Sequence, residues 1–386
     1  MIDIILQPRE PVLVRDGRPF GVEPGGYART LAWPFPQTVA GAMRAWLGDS
    51  LGWDWSGDGP DRALRVAVHG PLLAIRRGST WQALFPRPLD ALAPELKEGE
   101  PIVPLRLRPR AAGSGGCLWP DGAELLPLAP PEGAAIDAKV PLGPYWSAEK
   151  LAAWLSAEDV TLTREEVRDP LAREGRVHVA VDPTTGTATE GALYSTEGLA
   201  FSADQAILCR LCPDGEPLEG MPDTGVVTLG GERRISLVRT GTGLWPTCPE
   251  GLAARAAGAR RLTLTLATPA IFSGGWKPGW LDTDLTGAPP GLPGVRLKLV
   301  SAAVGRFSAV SGWRYDGRKK RRGPKPVRRV APAGSVYFFR VEDGELTEDT
   351  IRRLWLAPLS DEPSDRKDGY GLAQPGVWTD SEGGNT

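Results

Sequence analysis

The loop Arg15-Asp16-Gly17-Arg18 carries two guanidinium groups directly after an apolar strand. Guanidinium groups match phosphate oxygens in geometry and charge, and Arg29 and Arg44 follow a short distance along the chain. The spacing is not that of a GxxxxGK[ST] phosphate loop, so we expect no bound nucleoside triphosphate. Two interpretations remain open. Either these arginines bind phosphates, or Asp16-Gly17 is a turn in which Asp16 pairs with a neighbouring arginine.

A second concentration of charge is the run GRKKRRGPKPVRR at Gly317–Arg329, with eight Lys and Arg in thirteen residues and no acid. Such a run is compatible with a solvated loop or a nuclear-type signal. It is also suited to neutralising a phosphate backbone, and the preceding Trp313 and Tyr315 could stack on bases. We favour nucleic acid, and the predicted RNA-binding residues here are Trp313, Arg314, Lys319, Lys320, Lys325, Arg328 and Arg329.

The cysteines give only half of a metal-binding pattern. Cys209 and Cys212 form a CxxC with Cys248 or Cys117 as remote partners, but there is no second CxxC and no HxxxH. Cys209 also belongs to an alternating apolar strand, where a buried thiol is ordinary. We therefore expect no metal site and no cofactor.

Acid–base catalysis is limited by the two histidines of the chain, His69 and His178. Cleavage of RNA without a metal usually depends on a histidine with Lys or Tyr nearby. His178 alternates with apolar residues in RVHVAVD, which is typical of a strand, and His69 precedes Gly70-Pro71 at a strand end. Because these segments suggest no shared pocket, we predict no catalytic residue.

The bulk composition describes a loop-rich globular protein. The chain has 386 residues, including 48 Gly, 38 Pro and 14 Trp, and its formal net charge is −2. This length favours two domains, and the near-neutral charge means that any nucleic-acid surface is local. No apolar leader and no apolar run of about 18 residues is apparent, so we expect no membrane association and a cytoplasmic protein with reduced thiols.

Periodicity predicts the elements that position these residues. A helix is predicted over Thr38–Leu51 with Thr38 as N-cap, an inward face of Val39, Met43, Trp46 and Leu47, and Arg44 pointing away. RVHVAVD and LAFSADQAILCRL are predicted to form a hairpin. The other predicted helices are Ser147–Leu155, Thr163–Leu171 with a capping box from Thr163 to Glu166, and Glu348–Leu356 with Thr347 as cap, acids in its first turn and arginines in its last. The other predicted strands are Ile2–Leu6, Pro11–Val14, Leu64–Val68, Leu72–Arg76, Ile235–Arg239, Arg260–Phe272, Val295–Val304 and Ser335–Val341.

The two halves share an order of strand, glycine-rich turn, further strands, helix, glycine-rich turn and final strand. This order is compatible with a βαββαβ unit repeated twice. The predicted fold is α+β, with two tandem RRM-like or ferredoxin-like domains and long loop insertions. The predicted domains are residues 1–247, with an insertion at about 53–150, and residues 258–386.

Several segments together resemble a known family. They are RDGRPF, PFPQTVAGAMRAWL, VHGPLLA, FPRPLDAL, LGGERR, LATPAIFSGGWKP, VSGWR, KPVRRVAPAGSVYFF and GYGLAQPGVW. In this order they are similar to the third subunit of the Cmr complex, the type III-B CRISPR effector, within the RAMP superfamily. The resemblance spans nearly the whole chain and is weakest over about residues 99–141.

The resemblance implies a non-catalytic subunit that binds the 5′ repeat-derived handle of crRNA. It also implies two protein partners, the large polymerase/cyclase-like subunit and the neighbouring backbone RAMP subunit. An RNA-facing role is implied for Arg15 and Arg18, with Arg29, Arg44 and Lys277 as further candidates. The implied loop-shaping residues are Asp16, Gly17, Gly230, Gly231, Gly274, Gly275, Gly369 and Gly371.

Two other functions remain compatible with the sequence. A RAMP endoribonuclease that processes precursor crRNA would share the fold but needs a positioned base, for which His69 and His178 are the candidates. A protein–protein adaptor with little RNA contact would instead use an apolar face. Trp53, Trp55, Trp119 and Trp146 are the candidates for that face.

Overall fold

The computed structural model describes residues 1–18, 26–96, 100–110, 125–316 and 321–379, and it describes only the backbone at 314–316 and 321–322. Of the predicted RNA-binding residues, Lys319 and Lys320 lie outside the described residues, as does the side chain of Arg314. Cys117 and Trp119 also lie outside them.

The described part of the chain is mostly β-structure with six short or medium helices. The helices are α1 Pro36–Ser50, α2 Gly59–Arg65, α3 Ala148–Leu155, α4 Glu250–Ala256, α5 Glu348–Leu354 and α6 Pro363–Lys367. The strands are β1 Ile2–Pro8, β2 Gly26–Ala28, β3 Val66–Arg77, β4 Thr80–Pro86, β5 Ala91–Leu92, β6 Leu105–Arg106, β7 Arg108–Pro109, β8 Leu128–Ala129, β9 Tyr145–Ser147, β10 Ala172–Val181, β11 Ala188–Ala200, β12 Gln205–Pro213, β13 Thr224–Leu229, β14 Arg234–Gly241, β15 Arg261–Leu266, β16 Thr286–Gly287, β17 Arg296–Ala303, β18 Ser308–Val310, β19 Trp313–Asp316, β20 Arg321–Pro324, β21 Arg328–Val330, β22 Val336–Asp343, β23 Ala357–Pro358 and β24 Leu372–Val377.

The chain divides into two compact units that differ from the predicted domains. Unit 1 comprises residues 1–81, 170–244 and 309–327, and unit 2 comprises residues 82–169, 245–308 and 328–386. The predicted insertion at 53–150 thus belongs largely to unit 2, because its backbone bonds to strands of the second half: Leu126 N donates to Val300 O at 2.9 Å and Leu89 N to Gly334 O at 2.8 Å.

Unit 1 is built on five antiparallel strands in the order β13-β14-β1-β12-β3. Helix α1 packs on β3 and β13 through its apolar face, and Val39, Met43, Trp46 and Leu47 are all buried as predicted. Apolar side chains at helical spacing therefore identified this helix and its inward face correctly.

Two details of α1 differ from the prediction. The helix begins at Pro36 with Phe35 as N-cap, so Thr38 lies inside the first turn and is not the cap. Arg44 does not point away, since it is 8% exposed and its Nε donates to Val66 O at 2.9 Å. A buried arginine serving a strand carbonyl has little surface to offer a phosphate, which removes Arg44 from the RNA-binding candidates.

A second sheet of unit 1 has the order β10-β11-β2. Strand β10 forms its hairpin with β11, and β12 pairs instead with β1 and β3, so the predicted hairpin partner was wrong. The sequence between the two predicted strands contained a strand of its own, ATEGALYSTEGLA, in which Gly and polar residues mask the alternation.

Three smaller predictions also change. The strands predicted at 64–68 and 72–76 are the single strand β3, preceded by α2. Residues 163–171 form turns without a helix, although the predicted reciprocal bonds between Thr163 and Glu166 are present. Trp53 and Trp146 are 4% and 1% exposed, so these two belong to cores and not to a partner face.

The main sheet of unit 2 has six strands in the order β16-β17-β22-β15-β24-β23. Its core gathers alternate residues of β15 and β22 with the inward face of α5, where Ile351 and Leu354 are fully buried. Helix α5 was predicted with its N-cap, and the Thr347 side chain accepts from Thr350 N at 3.1 Å.

The central strands of the two units follow the same spatial order. In unit 1 the strands β1, β3, β12 and β14 lie in the order 4-1-3-2 when counted along the chain, and β15, β17, β22 and β24 do the same in unit 2. In unit 1, helix α1 packs on these strands and comes between the first and second of them in the chain, β1 and β3. In unit 2, helix α5 comes between the third and fourth, β22 and β24. No described helix is both long and apolar enough to cross a bilayer.

Candidate nucleic-acid interface

A cleft of about 630 Å³ lies in unit 1 beside the Arg15–Arg18 loop. Its walls are that loop, the turn after β13, the first half of α1 and the segment before β19. The lining residues are Leu13, Val14, Arg15, Asp16, Gly17, Leu31, Phe35, Gln37, Thr38, Gly41, Ala42, Ala45, Thr228, Gly230, Gly231, Ala309 and Ser311. The structure thus brings together Arg15 with the predicted turn residues Asp16, Gly17, Gly230 and Gly231.

The glycine turn holds the base of the arginine loop. Gly231 N donates to Leu13 O at 2.7 Å. Gly230 has φ +74°, and a Cβ there would lie 2.5 Å from Leu13 O, so only glycine fits this position without displacing the loop. The predicted loop-shaping role of Gly230 therefore has a direct steric cause.

Within the loop, Asp16 forms the turn and pairs with a neighbouring arginine, as the second interpretation of the sequence expected. Asp16 Oδ1 accepts from Arg18 N at 3.1 Å, and its Oδ2 lies 3.3 Å from Arg18 Nε, which makes the turn. The Arg18 side chain is nevertheless 70% exposed, and a pair in that setting is weak. Arg15 Nη2 donates to Arg18 O at 3.4 Å. Gly17 has no left-handed φ and open space around a Cβ, so this backbone does not require glycine there.

Helix α1 lines one wall of the cleft with its first half. Its first turn contains no acidic residue, and the positive end of the helix dipole lies among the lining residues Phe35, Gln37 and Thr38. Gln37 Nε2 donates to Ser311 O, which fixes the segment that leads into β19. Sequence reasoning missed Gln37 and Ser311, although PFPQTVAGA already placed a helix start and small residues together.

A second cleft, of about 490 Å³, lies in unit 2. It is lined by Ile271, Phe272, Ser273, Gly274, Gly275, Arg328, Arg329, Asp361 and Glu362. Asp361 organises the glycine loop, because its two carboxylate oxygens accept from Ser273 N at 2.7 Å and Gly279 N at 2.8 Å. Of the predicted residues, Gly274 and Gly275 are here joined with Arg328 and Arg329.

The two arginines of this cleft have different surroundings. Arg328 makes two hydrogen bonds to Asp365, at 2.6 and 2.8 Å, and Asp365 is 3% exposed. Burial opposes the charge on Arg328, but the hydrogen bonds and the charge of Asp365 raise its pKa overall. Arg329 is exposed, and its guanidinium lies 4.8 Å from the ring centroid of Phe307. Arg328 is thus a structural side chain, whereas Arg329 is accessible to a ligand.

The last glycine pair supports the loop after β15. Gly371 N donates to Pro269 O at 2.8 Å, and Thr268 Oγ1 donates to Gly369 O at 2.7 Å. Gly371 has φ +80°, and a Cβ there would lie 2.7 Å from Ser360 N. Gly369-Tyr370-Gly371 therefore occupies, within unit 2, a position like that of Gly230-Gly231 in unit 1.

The remaining predicted RNA-binding residues lie outside both linings. Trp313 is 67% exposed on the hairpin β19–β20, opposite Pro324. Lys325 is half-buried with its backbone N bonded to Gly312 O at 2.7 Å. Arg29 is exposed and Lys277 is half-buried beside Gly274.

The two histidines lie in different sheets of unit 1. His69 is on β3, and burial, with a smaller effect of Arg210, lowers its pKa to about 4. His178 stacks on Tyr194 at 5.0 Å, and its Nε2 is 2.8 Å from Thr196 Oγ1. Neither lines a cleft described above.

Among the described residues, Cys209 and Cys212 belong to no group of potential metal ligands. In the described part of the chain, no three His, Cys, Asp or Glu side chains are grouped as metal ligands would be. Cys209 is buried in β12, where burial raises the pKa of its thiol well above the ordinary value.

Comparison with known proteins places the chain in a family. A family model described as "CRISPR-associated protein (Cas_Cmr3)" matches residues 4–378. No curated protein matches the chain.

Three solved structures contain similar chains. Two are cryo-EM structures of the Type III-B Cmr-beta complex bound to cognate target RNA, one of them also with AMPPnP. The matched chains are 15% identical, cover 87% of this chain and 86% of their own length, and give TM-scores of 0.46 and, with AMPPnP, 0.47. A chain of the Csm3-Csm4 subcomplex of a type III-A CRISPR-Cas interference complex is 10% identical, with coverages of 90% and 97% and a TM-score of 0.37.

These structural likenesses are too distant to assign a role to any residue. The family match carries the conclusion instead, because it spans all but a few residues at each end of the sequence. The chain belongs to the Cas_Cmr3 family of CRISPR-associated proteins.

Proposed function

We propose that this protein is an RNA-binding subunit of a type III-B CRISPR (Cmr) effector and that it binds the 5′ repeat-derived handle of crRNA. The observation that carries the proposal is the unit 1 cleft. Its lining includes Arg15, on a loop fixed by Gly230-Gly231, and an α1 terminus with no acid in its first turn. The exposed Arg18 belongs to the same loop and lies just outside that lining. Guanidinium groups and a helix N-terminus together favour a phosphate backbone.

The common strand order of the two units supports a tandem ferredoxin-like arrangement of the RAMP type. Each unit departs from a full βαββαβ repeat, since in the described residues only one of the two expected helices packs on each set of central strands. In both units a glycine turn supports the loop that follows the first central strand. We infer that these loops are the RNA-facing elements.

We further propose that the subunit is not catalytic. His69 has a pKa of about 4, so near neutral pH it is neutral and a poor proton acceptor at its buried position. His178 is stacked on Tyr194 in a sheet away from the cleft lining. These positions weigh against the alternative of an endoribonuclease that processes precursor crRNA.

The protein partners in the proposal are the large polymerase/cyclase-like subunit and the neighbouring backbone RAMP subunit, in a cytoplasmic antiviral complex. Family membership supports a place among such subunits.

The test compares binding of crRNA with and without its 5′ handle, for the full chain alone and together with the large subunit, at several salt concentrations. In the double variant Arg15→Ala plus Arg18→Ala we expect binding of the handle to fall at least about tenfold at low salt. We also expect the slope of log K against log salt to decrease by roughly 1.4, since each phosphate contact contributes about 0.7 on a single strand.

A matched control removes two arginines elsewhere. Arg352→Ala plus Arg353→Ala eliminates two exposed i,i+4 pairs on α5 and leaves the cleft intact. We expect handle binding and its salt dependence to stay near wild type. Binding that ignores the handle would contradict the proposed recognition of the 5′ handle, and cleaved RNA would contradict the non-catalytic assignment.

A further inference from the structure

Tyr27 stands on the exposed face of the β10-β11-β2 sheet with its ring held in place. Strand β2 runs parallel to β11 in a register that sets Tyr27 level with Ser195, so Glu197 lies two residues further along on the same face. The Tyr27 hydroxyl donates to Glu197 Oε2 at 2.7 Å, while the residue remains 44% exposed. The ring is therefore both accessible and oriented.

The acceptor of that hydrogen bond is itself fixed. The Glu197 side chain is 16% exposed, and its Oε1 accepts from Arg173 Nη1 at 2.7 Å. The hydrogen bond from Tyr27 lowers the pKa of Glu197, and the same bond raises the pKa of Tyr27. The carboxylate thus stays charged and the phenol stays a donor near neutral pH, so the anchor persists.

A cation accompanies the ring. Arg29, two residues along on the same face, is exposed, and its guanidinium lies 5.6 Å from the ring centroid of Tyr27. Its backbone oxygen accepts from Asp16 N at 3.2 Å, and Arg15 is bridged to Thr30. The Tyr27 face is therefore continuous with the arginine loop of the unit 1 cleft.

Exposed aliphatic side chains also lie on this face. Val177 is paired with Ser195 across the β10–β11 hairpin, and Leu193 lies two residues before Ser195, so both are on the face of Tyr27. They are 69% and 56% exposed. An aromatic ring beside exposed aliphatic side chains suits the flat surface of an unstacked base, and the neighbouring guanidinium suits the phosphate attached to it.

We propose that Tyr27 is a stacking platform for one base of single-stranded RNA, with Arg29 binding the adjacent phosphate. This inference rests on the proposed function, since it extends the RNA path from the unit 1 cleft onto the sheet. An added protein strand would also cover an apolar face. The cation beside the ring and the continuity with Arg15 and Asp16 favour RNA.

The experiment uses handle RNAs that carry 2-aminopurine at one position at a time, bound to the full chain. Stacking on the ring quenches 2-aminopurine, so we expect one position to be quenched by the wild type and by Tyr27→Phe, which keeps the ring. Tyr27→Leu should release that quenching and weaken handle binding about 5- to 150-fold, because one base–aromatic stack is worth about 1–3 kcal/mol. The salt slope should stay as in wild type.

Tyr194→Leu is the matched control, because Tyr194 lies on the opposite face of the same sheet, against His178. It should leave quenching unchanged, and thermal unfolding of each variant verifies folding. Quenching and affinity unaffected by Tyr27→Leu would overturn the platform while the arginine variants still define the RNA site. Loss of a protein partner without an effect on RNA would overturn it as well. A wild type without handle-dependent binding would instead refute the proposed function itself.

Discussion

The clefts of the two units have similar backbones and different electrostatics. In each, a glycine turn supports the loop after the first central strand, through Gly231 N to Leu13 O in unit 1 and Gly371 N to Pro269 O in unit 2. In unit 1 the loop arginine Arg18 stays 70% exposed beside Asp16. In unit 2 Arg328 is held by a buried carboxylate. Arg18 of unit 1 is thus accessible to a ligand, whereas Arg328 of unit 2 is a structural group.

The largest expected effect is the loss of stability on removing Asp365, the acid that pairs with Arg328, and it is compared with the removal of Asp16, which pairs with Arg18. Asp365→Ala leaves Arg328 about one-third exposed and unpaired, so we expect a loss of roughly 2–4 kcal/mol in the free energy of unfolding. Asp16→Ala removes a surface pair and should cost less than about 1 kcal/mol. Urea denaturation of both variants measures the difference. Equal losses would mean that the two pairs are energetically alike.

A smaller effect is expected at the glycines of the unit 1 cleft. Gly230→Ala combines a left-handed φ with a Cβ 2.5 Å from Leu13 O, and we expect it to destabilise the protein by roughly 1–3 kcal/mol. Gly17→Ala meets no atom within 4 Å and should change stability by less than about 0.5 kcal/mol. Thermal unfolding of the pair, with RNA binding measured alongside, checks this. A stable Gly230→Ala protein would show that the loop can shift.

The smallest effects are expected from acidification, with opposite signs in the two units. His69 of unit 1 has its pKa lowered to about 4, so the unfolded chain binds the proton more tightly. Stability from this group is present above about pH 6.5 and is lost as the pH falls towards 4. Asp90 of unit 2 is fully buried, and burial raises its pKa to about 6. Stability from Asp90 is present below about pH 3.8 and is lost as the pH rises through 6.

Each effect should amount to about 1–2 kcal/mol between pH 7 and pH 5. We therefore expect the wild type to show little net change, because the two contributions oppose each other. His69→Gln should gain stability on acidification relative to wild type, and Asp90→Asn should lose it. Denaturation curves at pH 7, 6 and 5 measure the trend, and parallel curves for all three proteins would refute the assignment.

Regular elements were predictable where local pattern and packing agree. Helix α1 shows an apolar stripe at helical spacing, and α5 has the Thr347 cap with acids first and arginines last, so both were located from sequence. The strands predicted at Ile235–Arg239, Val295–Val304 and Ser335–Val341 correspond to β14, β17 and β22. The partner of β10 was missed, because a strand pattern gives no information on which neighbour it pairs with.

The site was predictable in part, for a related reason. The sequence identified Arg15, Gly230 and Gly231 as members of loops, and the structure joins them in one cleft. It could not separate Arg328 from Arg329, because the deciding residue is Asp365, 37 positions away. Arg44 failed for the same reason, since the carbonyl of Val66 that it serves comes from another element. A contact between side chains or backbone groups that are far apart in the sequence cannot be read from the residues around either partner.

The interleaving of the chain between the two units has a consequence for biosynthesis. Unit 1 includes residues 309–327 and unit 2 includes residues 82–169 together with 328–379. A ribosome delivers the chain from its N-terminus, so unit 1 acquires its last segment only after most of unit 2 has been translated. The strands of the two larger sheets of unit 1 are complete at Gly241, but residues 82–169 leave the ribosome well before the unit 2 residues to which they bond, such as Val300 and Gly334. Chaperone demand should therefore be higher than for two domains encoded one after the other.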